Sequence, residues 1–382
     1  MISFRPTEDE QAFSNLAKNF AIENIRPKAR ECEQERSVSN EITKEVEELG
    51  FAALELPESW GGLELPLISQ VQILQALSYG DLDVVQGLPG AGDAASLIRL
   101  VPDKSAFQSY KEANLNGDRQ DVAFIDATDR EGSLASDFEI IANGNEYVLR
   151  GTSKPVRLAA SAKYIAIAGI DSQSEPVVLW LENSDKWRVL EGDYRLGLLS
   201  SGLGRIQFSD LQVGAEQVIA RGDEARTLIS NVQDRIRVLQ GAKEVGLMEA
   251  ALDYAIEYTA GRKAFGQEIA KFQGVSFTIA DMAFEFQAAH HLVWQAALKV
   301  DDEAEDDASH SLRALSRAHR SVRFVTDSAV QMLGGHGYVQ EFPVEKWMRD
   351  AQAQVALYGR ERDLLIRLGE QILKPVEERV AQ

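Results

Sequence analysis

Gln331-Met332-Leu333-Gly334-Gly335-His336-Gly337-Tyr338, followed by Pro343-Val344-Glu345-Lys346-Trp347-Met348-Arg349-Asp350-Ala351, decides how this chain is read. The Gly334-Gly335 pair suits a turn and lets backbone come close to a ligand. The residues before it, from about Ser309 to Leu333, have the spacing of one long helix. Upstream, the same spacing predicts a helix from about Glu224 past Tyr258 and another from near Phe272 to about Val300. Downstream, a fourth covers roughly Arg360 to Leu373. The acidic run Asp301-Asp302-Glu303-Ala304-Glu305-Asp306-Asp307 reads as a solvated turn. Long helices with short loops suggest an antiparallel four-helix bundle over residues 221–382.

The texture differs toward the N-terminus. Val122, Phe124 and Ile125 form a short apolar run, and Glu139 to Gly151 carries a turn at Asn143-Gly144 that reads as a hairpin. Tyr164 to Gly169 and Val177 to Leu181 are further strands, and Ile206 to Val213 alternates with period two. Residues 119–220 therefore read as a small β-barrel or sandwich domain. Residues 1–118 read as helical. Thr7 suits an N-cap with Glu10 closing a capping box, before Phe13, Leu16, Ala17 and Phe20 at helical spacing. Ile42 and Val46 mark a second helix; Leu67, Val71, Leu74 and Leu77 mark another. The expected class is α+β, in the order helical, β, helical.

A chain of 382 residues with 45% apolar content can bury two or three cores. Its net charge of -20 argues against nucleic acid and anionic membranes as partners. Nothing at Met1 to Glu8 reads as a signal peptide, and no apolar run approaches a membrane span, so the expected location is cytoplasmic. The single cysteine, Cys32, excludes an internal disulfide, and five scattered histidines suggest no metal site.

Four motifs carry a family resemblance. They are Leu49-Gly50-Phe51 with Pro57-Glu58-Ser59-Trp60-Gly61-Gly62-Leu63, Arg262-Lys263-Ala264-Phe265-Gly266 with Phe272-Gln273, and the two segments quoted at the outset. In this order and spacing the chain resembles the acyl-CoA dehydrogenases over essentially its whole length. The resemblance implies FAD as cofactor and an acyl-CoA or acyl-carrier thioester as substrate. It implies a glutamate that removes the α proton while hydride passes to the flavin, and an electron-transferring flavoprotein as electron acceptor.

The catalytic positions depart from that pattern. The glutamate of the family falls on Tyr358, its glycine on Gly359, and a flavin-contacting threonine on Arg360. A phenol is a poor base for such a proton near neutral pH. Glu361 lies three residues late and is a weak candidate base. The alternative glutamate position on the first bundle helix falls on Ile236, just before Arg237. Asp234 and Arg237 match a pair that contacts the CoA side of the substrate in relatives; a surface salt bridge is the other reading. The glycine loop at the flavin is replaced by Ile125-Asp126-Ala127-Thr128-Asp129-Arg130-Glu131-Gly132, and a Trp-Ile-Thr strand by Pro155-Val156-Arg157.

In the family each FAD lies at a dimer interface, with its pyrophosphate and adenosine held partly by the neighbouring subunit. The residues that this chain would lend a neighbour are Arg262, Phe265, Gly266, Gln273, Gln331, Gly334 and Gly335. Ala264 departs, standing where relatives often carry threonine. The resemblance thus implies the glutamate-less subunit of a heteromeric enzyme, partnered by a homologous subunit. An autonomous divergent flavoenzyme and a non-enzymatic helical scaffold are the other readings.

Overall fold

A computed structural model describes residues 7–118, 120–128, 134, 136–182, 184–190, 194–302 and 307–380. The first helix, α1 (Glu8–Phe20), begins as the sequence predicts. The Glu10 N–H donates to Thr7 Oγ1, and the Thr7 N–H donates to the Glu10 carboxylate at 2.8 Å. Six more helices follow: α2 (Arg26–Glu35), α3 (Asn40–Glu48), α4 (Leu67–Ser78), α5 (Leu82–Gln86), α6 (Ala94–Leu100) and α7 (Gln108–Leu115). Phe20, Ile25, Ile42, Val46, Phe51 and Leu77 meet in their core. Cys32 is buried there as an ordinary helix residue.

Two four-stranded sheets come next. One has the order β1 (Val122–Ala127), β4 (Tyr164–Ile170), β5 (Pro176–Glu182), β8 (Val218–Arg221), with β1 and β4 parallel. The other has the order β2 (Glu139–Asn143), β3 (Glu146–Thr152), β7 (Arg205–Val213), β6 (Arg188–Leu190), all antiparallel. The predicted hairpin is present, with Asn143 paired to Glu146 and Gly144 at φ +65°. Ile140, Leu149, Ile167, Leu179 and Phe208 fill the space between the sheets.

The chain then returns to helix. α8 (Gly222–Gly261) has 40 residues, about 60 Å of rod. After the two-residue strands β9 (Lys263–Ala264) and β10 (Gln267–Glu268) come α9 (Gln273–Asp301), α10 (Asp307–Leu333), α11 (Val344–Leu357) and α12 (Glu361–Val380). The four long helices are those expected. α11 was not anticipated as a separate helix, although it carries the motif from Val344 to Ala351. Residues Glu303 to Asp306 of the acidic run lie outside the described residues, and Asp301 belongs to α9. No described helix is long and apolar enough to cross a membrane.

One buried cluster joins three parts of the fold. The Lys346 ammonium on α11 donates to Asp81 at 2.8 Å and Asp350 at 2.8 Å, with Asp83 at 3.6 Å. Asp350 also accepts from the Leu198 N–H and Asp83 from the Ser200 N–H, which fixes the loop before β7. These three carboxylates are the one group among the described residues with metal-ligand spacing, and the ammonium already stands among them.

Candidate functional site

α8 is the backbone of the site. Its middle runs past the start of α6, the segment between β3 and β4, and the turn from α11 to α12. A cavity of about 170 Å³ lies there, lined by Asp93, Pro155, Arg157, Arg237, Tyr358 and Arg367 among others.

Asp93 is the hub. The Tyr358 hydroxyl donates to it at 2.7 Å, the Gln240 amide at 2.8 Å, and Arg157 Nη1 at 3.3 Å. Arg157 Nε donates to the Gln86 carbonyl at 2.9 Å, and its side chain is only 8% exposed. Gln86 Nε2 donates onward to Gln240 and Gln354, and Lys243 Nζ donates to Gln86 Oε1 at 2.9 Å. Burial and the Asp93 charge hold the Tyr358 phenol well above its ordinary value. A phenol so held stays protonated and serves as a donor, which removes it as a base.

Glu361 opens α12 away from this hub. It accepts from Arg323 Nη2 at 3.0 Å and is absent from the cavity lining. Arg360 is exposed and pairs with Asp363 at 3.2 Å. The weak alternative base is thus engaged elsewhere.

Asp234 and Arg237 do pair, at 2.7 Å, one helical turn apart on α8. The surface-salt-bridge reading is corrected: Asp234 is 3% exposed, and the Arg237 side chain is 12% exposed. The Ser311 hydroxyl donates to Asp234 at 2.5 Å, and Arg237 Nη2 donates to Gln233 at 3.0 Å. Burial raises the Asp234 carboxyl against the pull of Arg237, and lowers the Arg237 guanidinium. Arg237 and Gln233 both line the cavity.

The replaced glycine loop begins on β1, where Asp126 accepts from Gln233 Nε2 at 2.9 Å. Asp129, Arg130, Glu131 and Gly132 lie outside the described residues. Val156 forms an isolated bridge with Gly204, which sets Pro155 and Arg157 on the cavity wall.

The remaining expected residues lie apart. Arg262 caps the far end of α8, roughly 37 Å along the helix from Arg237. It is exposed, and among the described residues its guanidinium makes no ion pair. Phe265 is 95% exposed, and Gln273, Gln331, Gly334 and Gly335 are exposed as well. Gly334 needs glycine for its φ of +58°, and Gly266 for +84°. Gly335 has no such need, and a Cβ there would touch nothing. Its smallness serves no packing within this chain. The neighbouring turn is held by Tyr258, whose hydroxyl bonds His336 Nδ1 at 2.8 Å, and by His336 stacked on Phe342.

Asp93, Gln86, Gln240, Gln354 and Lys243 escaped the sequence reading. The available signal was polar residues within apolar stretches: Gln240 and Lys243 one turn apart on a buried helix face, and Gln354 one turn before Tyr358.

Comparison with known proteins bears on this geometry. The profile "Acyl-CoA dehydrogenase, N-terminal domain" matches residues 7–100, and "Acyl-CoA dehydrogenase, C-terminal domain" matches 227–373. The probable acyl-CoA dehydrogenase YngJ of Bacillus subtilis (strain 168) is 26% identical over 386 residues, covering 98% of this chain and 100% of the relative. The mitochondrial isobutyryl-CoA dehydrogenase of Dictyostelium discoideum is 25% identical over 372 residues, covering 95% and 88%. The structure of butyryl-CoA dehydrogenase from Megasphaera elsdenii superposes with a TM-score of 0.85 at 24% identity, covering 97% of this chain and 100% of that one. That of PigA with FAD and proline gives 0.86 at 19% identity, covering 99% and 100%. At these identities the structures speak for the fold alone. The two profiles match in order and together span more than half of the sequence, and the chain belongs to the acyl-CoA dehydrogenase family.

Proposed function

We propose that this chain is the glutamate-less subunit of a heteromeric FAD-dependent acyl-CoA dehydrogenase. Its partner is a homologous subunit carrying the catalytic glutamate and the flavin-binding loop. The reaction is oxidation of an acyl thioester, on CoA or a carrier protein, to the 2-enoyl thioester, with electrons leaving to an electron-transferring flavoprotein. FAD supplies the hydride acceptor. Residues 1–118, 119–220 and 221–382 are taken as its three domains.

The observation that carries the reading is the Tyr358–Asp93–Arg157 lock. It occupies the positions where the family places its base and its flavin-contacting strand. The fit to an isoalloxazine is poor: Pro155 has no N–H to offer, and the Arg157 guanidinium is committed to Gln86 and Asp93. No step is therefore routed through a flavin held in this chain's own cavity.

The set that a neighbour would use is of a different kind. Arg262 is unpaired among the described residues and suits a pyrophosphate oxygen. Gly335 leaves room that the chain itself does not use. On α9, Phe277 and Phe284 lie two turns apart at 63% and 72% exposure, and Tyr338 after α10 is 75% exposed. Exposed aromatic residues on such a face suit a subunit contact. Asp234 and Arg237 are the residues we assign to the thioester's carrier side.

The test is co-expression with a homologous partner chain, reading flavin absorbance and native mass. The heteromer is expected to carry half the flavin of a homomeric relative, and Arg262→Ala to lower that content. A chain that alone binds stoichiometric FAD and oxidises acyl-CoA refutes the proposal and favours an autonomous flavoenzyme. A heteromer whose flavin content ignores Arg262→Ala favours a scaffold.

A further inference from the structure

A second cavity of about 80 Å³ lies beyond the Asp93–Arg157 pair, which lines both cavities and divides them. Ala52, Leu54, Leu74, Leu88 and Leu239 form the apolar part of its wall, and Glu55, Gln70 and Lys243 line it as well. Lys243 is 4% exposed. An amine presents two donors when neutral and three when charged, yet among the described residues it has one acceptor, Gln86 Oε1 at 2.9 Å.

Neither nearby acid accepts from Lys243. Glu55 is engaged by Arg235 Nε at 2.5 Å and the Ser96 hydroxyl at 2.9 Å. Asp93 already accepts from Tyr358, Gln240 and Arg157. Gln86, Gln240 and Gln354 all point their donors along the network toward Asp93. The cavity therefore has donor capacity to spare at the amine and leucines in its wall, and the two carboxylates that line it, Asp93 and Glu55, are each paired with an arginine. That is the complement of a short carboxylate.

We propose that the Lys243 cavity is a binding site for a small monocarboxylate of acetate or propionate size. The volume sets the size: a cavity of about 150 Å³ admits benzene, and this one has about half that room. The carboxylate accepts from Lys243, and its methyl or ethyl group meets the leucines. The site stands independently of the heteromer proposed above.

Ligand charge and lysine protonation are linked. Burial, reinforced by Arg157 and opposed by Asp93, brings Lys243 well below its ordinary value. Glu55 also faces the cavity but is neutralised by Arg235. Carboxylate binding supplies the missing negative charge and draws a proton onto the amine. Affinity then falls as pH rises, because the free site must be protonated at increasing cost.

The experiment is calorimetric titration of the full chain with sodium acetate, propionate and hexanoate at pH 8, in phosphate and in Tris, with sodium chloride as control. Acetate and propionate are expected to bind with net proton uptake, seen as a buffer-dependent enthalpy, and hexanoate to bind more weakly. Lys243→Met should weaken binding by about tenfold or more and abolish the uptake. Leu239→Phe, which narrows the cavity and keeps the lysine, should also weaken binding. Circular dichroism establishes that each variant is folded, and either variant suffices. Absence of carboxylate binding at millimolar concentration, affinity unchanged in a folded variant, binding without proton uptake, or equal competition by chloride would each overturn the assignment.

Discussion

Lys346→Met isolates three buried carboxylates from their cation. In the wild type the ammonium lies 2.8 Å from oxygens of both Asp81 and Asp350. Each such contact is worth about 6 kcal/mol of gross attraction at an effective dielectric near 20, much of it offset by desolvation. One positive charge cannot neutralise three carboxylates, so burial raises Asp350 to about 7 and raises Asp83 as well. The proton belongs to the cluster rather than to one side chain. Without Lys346 a further carboxylate must be protonated to stay buried. Holding a proton on a group with an ordinary pKa near 3.9 costs about 4 kcal/mol at pH 7 and about 1.5 kcal/mol at pH 5. The native variant then binds more protons than its unfolded chain, so its stability falls as pH rises. The expected deficit against wild type is about 3–5 kcal/mol at pH 7, smaller at pH 5 by about 2.7 kcal/mol for each additional proton retained. Urea unfolding followed by circular dichroism at the two pH values measures it. A deficit that is equal at both, or larger at pH 5, refutes the account.

Other expectations are simpler. The wild type itself should lose stability between about pH 4 and pH 7, because Asp350's folded-state pKa is raised toward 7; Asp350→Asn should flatten that slope in the same unfolding assay. Tyr358→Glu should not create acyl-CoA dehydrogenase activity in the isolated chain, since Arg157 and Pro155 still shape the cavity; turnover with acyl-CoA and an artificial electron acceptor is the readout. Gly337→Ala should destabilise by about 1–3 kcal/mol, because a Cβ there would lie 2.2 Å from the Val330 carbonyl oxygen. Gly335→Ala, two residues away, should change the urea midpoint of the isolated chain little while lowering flavin content in the heteromer.

The legible parts of this molecule are those whose causes are local. Thr7 and Glu10 cap a helix from three residues apart, and Asn143-Gly144 turns a hairpin between adjacent strands. The long bundle helices followed from spacing alone. α11 did not, because its 14 residues sit between glycine and proline punctuation, where a motif hid the periodicity. Asp93 was invisible for a different reason. Its partners Arg157, Gln240 and Tyr358 stand 64, 147 and 265 residues away, and no window of sequence brings them together. The burial of Asp234 and Arg237 was equally out of reach, since the covering Ser311 comes from another helix.

The 40-residue α8 has a further consequence. It carries Gln240 near its middle and delivers Arg262 at its end, roughly 33 Å further on. That interval is about four Debye lengths at physiological salt, so charges at the two places do not feel one another through solvent. Substitutions that rewire the inner hub leave the outer tip chemically untouched. The length of a single helix thus lets the hub and the outer tip be altered separately.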